Sequence, residues 1–535
     1  MQDLKEEYHE GTIPQDQAVP ATKRDLDLDL DLERNPSFEI NSDQKVLTKR
    51  EIQGWLAYAV AAEPYSVVCI SALAPIVLEA LSSGYGRQHD NRDLPCNTDE
   101  TDYKCVVKVG SLWLDTASFS LYCISVSVFL QAFVFISMGA LADHGTRRKT
   151  FLLTFSFIGS ISTILFAAVR TASLYWLAGV LVIISNVAFG ASWVLYYAFI
   201  PTLVRDHPEV VDARKNVRSG IETTWKDYQS IKDKVSNSLS SHSMAVGYAA
   251  GVALLIIAAG IALAMGQSTY SLQIGMALAG LWWFCVSFFT MKFLAPQPGE
   301  PLHGDVNLFL YSWRRLGKTL YQASLLKETF KYLVSWFILS DGSSTIISLA
   351  IFMGKKKFLL NNTQLMIGAI LVPLSALIGT YMWLFIQRKL NLTSKQALLA
   401  ISAAFALVPI YVLIGFSDVF GLVYKVEIWP CLIYFGLMLG AFQSFSRVMY
   451  ASLVPKGKES EFFSLYGITD KSSSWLGPLI TGAIIENNDT RWGFVFPLCM
   501  MIIPLALIVW VDVEKGIHDA ERFSEEHTDE KDGLE

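Results

Sequence analysis

Residues 464–480, SLYGITDKSSSWLGPLI, form an apolar run that carries an acid and a base, Asp470 and Lys471, side by side near its middle. A membrane-spanning helix needs ~20 mostly apolar residues, because the hydrocarbon core of a bilayer is about 30 Å thick. A charge at the bilayer centre costs ~3 kcal/mol on insertion scales, so charges at that depth face protein or a water-filled cavity. The stretch therefore predicts a membrane protein with a polar path inside it.

The composition of the whole chain agrees with a membrane setting. Of 535 residues, 52% are hydrophobic and 17% are charged, and the mean hydropathy is +0.37, which lies outside the usual balance of soluble proteins. Ten of the 49 acidic residues lie in two short segments, 25–33 and 525–532. No basic face for nucleic acid is indicated, so nucleic acid is not an expected partner.

Further apolar stretches of spanning length are separated by charged or turn-rich breaks. The predicted spans are 55–81, 116–142, 150–169, 174–200, 243–266, 271–294, 332–353, 365–387, 396–416, 429–453, 462–485 and 493–512. We therefore predict an all-α integral membrane protein with twelve transmembrane helices in two six-helix halves. Lys and Arg in the short loops place both termini in the cytoplasm, although the run Lys355–Lys357 falls on the opposite side.

The spans divide the chain into domains. The prediction is a disordered acidic cytoplasmic tail (1–50), a first half (51–294) with a cytoplasmic insert (205–242), an amphipathic cytoplasmic connector (295–331), a second half (332–512) and an acidic cytoplasmic tail (513–535).

The first non-cytoplasmic loop contains Cys96 and Cys105, whereas the other five cysteines fall inside predicted spans. A disulfide between the two and a pair of unpaired thiols are both compatible with that side of the membrane. Sequons at Asn361 and Asn488 make these asparagines glycosylation candidates on the same side.

A conformational latch is predicted between the second and third spans, in GALADHGTRRKTFLL, residues 139–153. Gly139 permits close helix approach, Asp143 can accept hydrogen bonds from the amino-terminal amides of the next helix, and Arg147 and Arg148 face the anionic leaflet. The stretch resembles the G-x-L-a-D-r-x-G-r-[RK] loop of the major facilitator superfamily, which latches the two halves in one conformation. Topology alone would explain the basic run.

A more specific resemblance lies in residues 440–480, GAFQSFSRVMYASLVPKGKESEFFSLYGITDKSSSWLGPLI. This block resembles the signature of the autophagy-related vacuolar amino-acid efflux permeases, a branch of the major facilitator superfamily. WLAYAVAAEPYSVV, YYAFIPTL, GYAAG and LSDGSSTI resemble the same family in earlier spans. The resemblance implies the twelve-span fold, a vacuolar membrane location, and export of amino acids, leucine among them, after autophagic proteolysis.

Charged residues in the spans are the candidate substrate-binding or proton-coupling groups. Glu63, Asp341, Arg447 and Asp470 lie at similar depth, ~13 Å inside the membrane by the helical rise, and Lys471 adjoins the last of them. Adjacent helix positions are about 100° apart, so Asp470 and Lys471 are not expected to pair.

An amino acid is a zwitterion, and its site needs a partner for each charge. We expect Glu63 or Asp470 to receive the ammonium and Lys471 or Arg447 to receive the carboxylate, with one acid titrating against the lumen. Structural bridges between helices remain the alternative for Arg447 and Lys471. Asp341 has the alternative of capping a broken helix.

No motif of an enzyme accompanies these charges. The sequence has no P-loop, no H-E-x-x-H and no His cluster with metal-ligand spacing, so we expect no catalysis, cofactor or metal. The expected partners are an amino-acid substrate, the lipid bilayer and protons. Two other readings stay open, namely a facilitator of the same fold for another small solute and a non-transporting membrane receptor or scaffold.

Overall fold

The computed structural model describes residues 46–96, 105–218, 224–266, 268–297, 323–360, 362–472, 476–485 and 489–532, with isolated positions between 299 and 321. Most of the predicted acidic tail (1–50) and of the amphipathic connector (295–331) lies outside the described residues. The two sequon asparagines, Asn361 and Asn488, lie outside them as well.

Over its described residues, the first half contains nine α-helices. They are α1 (Lys49–Pro64), α2 (Ala74–Tyr85), α3 (Thr116–Ala142), α4 (Arg147–Ile164), α5 (Tyr175–Ala198), α6 (Ile200–Arg205), α7 (Pro208–Arg218), α8 (Trp225–Ala264) and α9 (Thr269–Phe293). Thr48 and Thr224 begin α1 and α8 with capping boxes that satisfy free amides of the first turn. The cap at Thr224 starts α8 well before the predicted span at 243–266, so α8 includes part of the predicted insert.

The second half follows with α10 (Lys327–Lys356), α11 (Asn362–Lys389), α12 (Ser394–Ile414), α13 (Ile428–Ser452), α14 (Glu459–Ser472), α15 (Leu476–Ile485) and α16 (Val495–Trp510). The segment predicted as an acidic tail forms α17 (Val513–Asp532). Among the described residues, 11 helices are long and apolar enough to cross a membrane. The predicted span 462–485 is described as α14 and α15 around residues 473–475, so the count of twelve is not confirmed.

Pro64 marks a change in helix geometry in the first span. The segment from Tyr65 to Leu73 is π-helical and joins α1 directly to α2. Pro64 lacks an N–H and cannot complete the α-helical ladder, and the hydroxyl of Ser71 donates to the carbonyl oxygen of Ser66 at 3.0 Å within the widened segment.

A small antiparallel sheet lies between α2 and α3. Its strands are β1 (Arg87–Gln88), β2 (Cys105–Val109) and β3 (Leu112–Asp115), in the order β1-β2-β3. Cys96 and Cys105 are joined in a disulfide with their Cα atoms 5.6 Å apart. The hydroxyl of Tyr175, at the start of α5, donates to the carbonyl of Lys108 and ties β2 to the helices.

The two halves meet through several helix pairs, chiefly α3 with α14 and α8 with α11, and also α8 with α13 and α5 with α14. Large buried aromatic side chains fill the first half around Trp55, Tyr58 and Trp283, and the second half around Trp336 and Tyr450. Of the charged residues predicted to mark a path, Asp470 and Lys471 lie on the interface helix α14, and Arg447 lies on α13, which packs against α8. Glu63 and Asp341 lie on α1 and α10, each within its own half.

Candidate functional site: two inter-half contacts and a central charged layer

Asp143 follows α3 and joins the two halves through the amino terminus of α14. Its carboxylate oxygens accept hydrogen bonds from the backbone N–H groups of Ser460 at 2.8 Å and Glu461 at 2.9 Å. A carboxylate at a helix amino terminus satisfies free amides and interacts favourably with the helix dipole. The predicted type of contact is present, but the prediction that the next helix supplies the amides is wrong, because α14 of the other half supplies them.

Arg148, in the first turn of α4, completes this contact. Its Nη2 lies 2.6 Å from Asp143 and 2.9 Å from Glu459, and its Nη1 donates to the carbonyl of Ala198 at 3.1 Å. The residue is buried, so the prediction that it faces the lipid leaflet is wrong. Two acids from opposite halves share one guanidinium, because Arg presents several donors in a planar fork.

Gly139 brings α3 close to α14. A Cβ at this position would overlap Ser464, whose own Cβ would lie only 2.8 Å away. Arg147 is half-buried, and its Nη1 has no hydrogen-bond partner within the described part of the chain. The contact between the halves at the predicted latch therefore involves Gly139, Asp143 and Arg148, and Arg147 lies beside it. We call the end of the bundle that carries residues 143–146 and 453–458 the latch end.

A second polar contact joins the halves between α8 and the start of α12. Asn237 donates to the Ser394 hydroxyl at 2.7 Å, and the Ser394 N–H donates to the Asp233 carboxylate at 3.4 Å. One turn further along α8, the Ser240 hydroxyl donates to the carbonyl of Ser444 at 3.2 Å. Both inter-half contacts thus place a carboxylate of the first half at the amino terminus of a helix of the second half.

Arg447 is the buried cation of the central layer. It belongs to α13, but its guanidinium lies over the ring of Tyr197 at 4.2 Å from the centroid and contacts the sulfur of Met244 at 3.1 Å, both on the first half. Only 3% of the residue is exposed. No carboxylate of the described residues forms a salt bridge with it, although removing an unpaired charge from water is costly.

Glu63 is the buried acid of the central layer. It ends α1 beside Pro64 and packs on Gly247 of α8, where an added Cβ would lie 3.0 Å from the Glu63 Cβ. Its carboxylate makes no hydrogen bond to the described residues, and its charge interacts with that of Arg447 across the interface. An acid and a base therefore face the same region from opposite halves without a direct pair.

Asp470 and Lys471 do pair, contrary to the prediction. The Lys471 ammonium lies 3.1 Å from Asp470 Oδ2, and the two side chains are 43% and 23% exposed. The angular separation of adjacent positions does not prevent this, because the long, flexible lysine stem can fold back along the helix. Ser340 of α10 donates to Asp470 Oδ1 at 2.6 Å, so Asp470 also joins α14 to α10.

Asp341 of α10 lies at the amino terminus of α15. Its Oδ1 accepts from the backbone N–H of Gly477 at 3.2 Å, and its Oδ2 is buried with no partner among the described residues. Gly477 permits the approach, since a Cβ there would lie 3.0 Å from the same carboxylate oxygen. This geometry corresponds to the capping alternative left open by the sequence.

The family of the chain follows from sequence comparison. A family model described as vacuole effluxer Atg22 like matches residues 47–521. The chain belongs to this family. Autophagy-related protein 22-1 of Penicillium rubens is 33% identical over 547 residues, which cover 89% of this chain and 92% of the relative. Autophagy-related protein 22 of Coccidioides immitis is 32% identical and covers 95% of this chain and 94% of its own length.

Solved structures similar to this Atg22-like chain are transporters of the major facilitator superfamily. The proton:xylose symporter XylE has a TM-score of 0.59 at 10% identity and covers 87% of this chain and 97% of its own. A bacterial homologue of the iron transporter ferroportin in an outward-facing state has a TM-score of 0.57 at 12% identity, covering 86% and 98%. The Atg22-like chain therefore has the major facilitator fold and is a multi-pass membrane protein of a transporter family rather than of an enzyme family.

Proposed function

We propose that this protein exports amino acids, including leucine and other neutral amino acids, from the vacuole lumen to the cytoplasm by alternating access. The latch end would lie in the cytoplasm, as the Lys and Arg content of its loops favours. Membership of the vacuole effluxer family supports the location and the direction. Two alternatives are tested against this proposal. In one, the protein carries a sugar or a nucleoside, and in the other it is a membrane receptor that transports nothing.

The unpaired state of Arg447 carries the proposal. A guanidinium held by a ring face and a thioether keeps its full charge, and the carboxylate of a bound amino acid would supply the missing anion in a bidentate geometry. Glu63, across the interface, would receive the ammonium group. Tyr197 and neighbouring aromatic surface would receive an apolar side chain such as that of leucine.

Proton coupling is assigned in this proposal to Glu63. Its carboxylate has no hydrogen-bond donor among the described residues to stabilise its charge, so it is free to exchange a proton for a substrate ammonium. Asp470, already held by Lys471 and Ser340, is the second acid in the proposal and would position Lys471 near the substrate carboxylate. Release toward the latch end requires the contacts of Asp143 and Arg148 to part.

Efflux from proteoliposomes with an acidic interior tests the proposal. Glu63→Gln and Asp470→Asn are expected to lower leucine efflux while the proteins remain folded, and Lys471→Ala is expected to raise the KM. Lys389→Ala, at the exposed end of α11, is the matched control and should behave as the parent. If all three test variants kept the parental efflux and its dependence on interior pH, the three charged residues would be structural bridges between helices and the proposed mechanism would be wrong. A panel of labelled amino acids, a hexose and a nucleoside decides the substrate class.

A further inference from the structure

Helix α17 packs on the latch end of the bundle through one apolar face. Ile517, Ala520 and Phe523 recur every three residues along it and are buried, whereas Arg522 between them is exposed. This spacing is that of an amphipathic helix with one side against protein. The acidic segment is thus a docked element of the fold.

The beginning of α17 is fixed to the second half. The Asp512 N–H donates to the buried carboxylate of Glu328, in the first turn of α10, at 2.9 Å. Gly516 lies so close to this surface that a Cβ would come within 3.1 Å of the Glu328 Cβ and within 2.5 Å of the Leu453 Cδ2. The first turn of α17 therefore has little freedom to move independently of α10.

The middle of α17 holds the loop that leads into the latch. The Lys458 ammonium lies 4.4 Å from the centroid of the Phe523 ring, and the Lys456 N–H donates to the Ser524 hydroxyl at 3.0 Å. Lys458 immediately precedes Glu459, which binds Arg148, and Lys456 lies three positions before it. Contacts of α17 thus order the segment from which α14 presents its amino terminus to the first half.

The same face of α17 reaches toward the first half. The charge of Glu521 interacts with those of Lys232 on α8 and Arg214 on α7. Lys456, held by α17, is in turn close to charges of the first half at Arg205, Arg214 and Asp206. One helix therefore contacts the second half and interacts electrostatically with the first, at the end where the two contacts described above keep the halves together.

We propose that α17 is a regulatory strap that stabilises the conformation closed at the latch end through its buried apolar face and the contact of Phe523 with Lys458, and that Glu521, opposite Lys232 and Arg214, makes this docking sensitive to charge. Undocking it loosens the loop 453–458, weakens the hold of Glu459 to Glu461 on the first half, and shifts the population toward the form open at this end. The strap acts on the conformational equilibrium whatever solute the protein carries.

Distance measurements between spin labels test the strap without any substrate. Labels at Asp212 on α7 and Leu390 after α11, both exposed, report the separation of the halves in the full-length protein in nanodiscs. Phe523→Ala and Glu521→Lys are expected to raise the fraction of long distances several-fold. Arg522→Ala, on the exposed face of the same helix, is the matched control and should leave the distribution unchanged.

A charge exchange separates a specific contact from a folding defect. Combining Glu521→Lys with Lys232→Glu removes the repulsion that the first substitution introduces between α17 and α8, and is expected to recover most of the short-distance population. Parent-like distributions for both Phe523→Ala and Glu521→Lys would overturn the proposal. Failure of the exchange to recover the closed form, in a protein that remains folded by thermal unfolding, would overturn the part assigned to Glu521.

Discussion

Arg447 of α13 and Tyr197 of α5 join the two halves through a cation over a ring, 4.2 Å from the guanidinium carbon to the ring centroid. This contact orients the guanidinium but leaves its charge available, unlike a salt bridge. In the proposed alternating access, this contact also has to break when the interface opens. The cation proposed to bind substrate thus takes part in closing the interface.

Replacing Tyr197 tests the importance of the ring. Tyr197→Phe keeps the π face and should retain near-parental efflux, whereas Tyr197→Leu loses it and should lower substrate affinity by roughly twofold to thirtyfold, which corresponds to ~0.5–2 kcal/mol. The KM for leucine in proteoliposomes is the measurement. Equal KM values for the two variants would show that Arg447 is held in place by other contacts.

Asp143→Asn is expected to open the latch end. The substitution removes one negative charge from the buried contact with Arg148 and weakens the cap on α14, and breaking a buried pair costs ~3–5 kcal/mol. The label pair at Asp212 and Leu390 should then show a larger fraction of long distances than in the parent. A distribution still dominated by the short distance would mean that the α8–α12 contact alone keeps this end closed.

Asp341 is expected to act on stability rather than on transport. Asp341→Asn keeps an acceptor for the Gly477 N–H and should unfold near the parental temperature, whereas Asp341→Ala loses the cap and should be less stable by ~1–2 kcal/mol. Both should retain leucine efflux when folded. A loss of efflux in the Asn variant with unchanged thermal stability would instead place Asp341 in the transport path.

The docking of α17 is expected to depend on pH through Glu521. Burial raises the pKa of this carboxyl above its usual value of about 4.3, although Lys232, Arg214 and His518 oppose the shift and Glu525 adds to it. The docked form therefore binds protons more tightly than the undocked form. Docking is strongest below the undocked pKa and weakens as the pH rises through the raised, docked pKa.

Distances between the two labels, measured from about pH 4 to about pH 8, check whether docking weakens as the pH rises. The closed fraction of the parent should fall with rising pH, and Glu521→Gln should flatten the curve and stay more closed at the upper end. The same slope in both proteins would assign the dependence to another group, such as His518.

The sequence predicted the architecture because hydrophobic length and loop charge are local properties. It also found Asp143 and Arg148 through a motif, and Glu63 and Arg447 through the rarity of charge in membrane helices. It could not find Glu459, because the bond from Arg148 to Glu459 spans 311 positions and depends on how the halves meet. Met244 and Tyr197 were missed for a similar reason, since an apolar or aromatic residue in a span carries no sign that it holds a cation.

The charge pairing of Asp470 and Lys471 shows a different limit. Angular spacing along a helix predicts where side chains leave the backbone, but a lysine stem is long enough to return to its neighbour, as it does here at 3.1 Å. The sequence analysis described 513–535 by its acid content alone and did not predict the helix α17 there, because the acidic residues obscured the apolar positions 517, 520 and 523. The signal in the sequence that indicates this helix is the three-residue spacing of those apolar positions.

The π-helical segment after Pro64 also determines how far the side-chain directions of α1 are rotated, about the helix axis, relative to those of α2. A segment of wider turns advances each residue by less than the ~100° of an α-helix, so Glu63 and the residues of α2 have an azimuth that an uninterrupted α-helix would not produce. If Tyr65–Leu73 changed to α-helical spacing, α1 would rotate relative to α2 about the common helix axis. The Glu63 carboxylate would then point in a different direction around that axis. The same carboxylate could thus be presented to different neighbours by a local change of helical pitch.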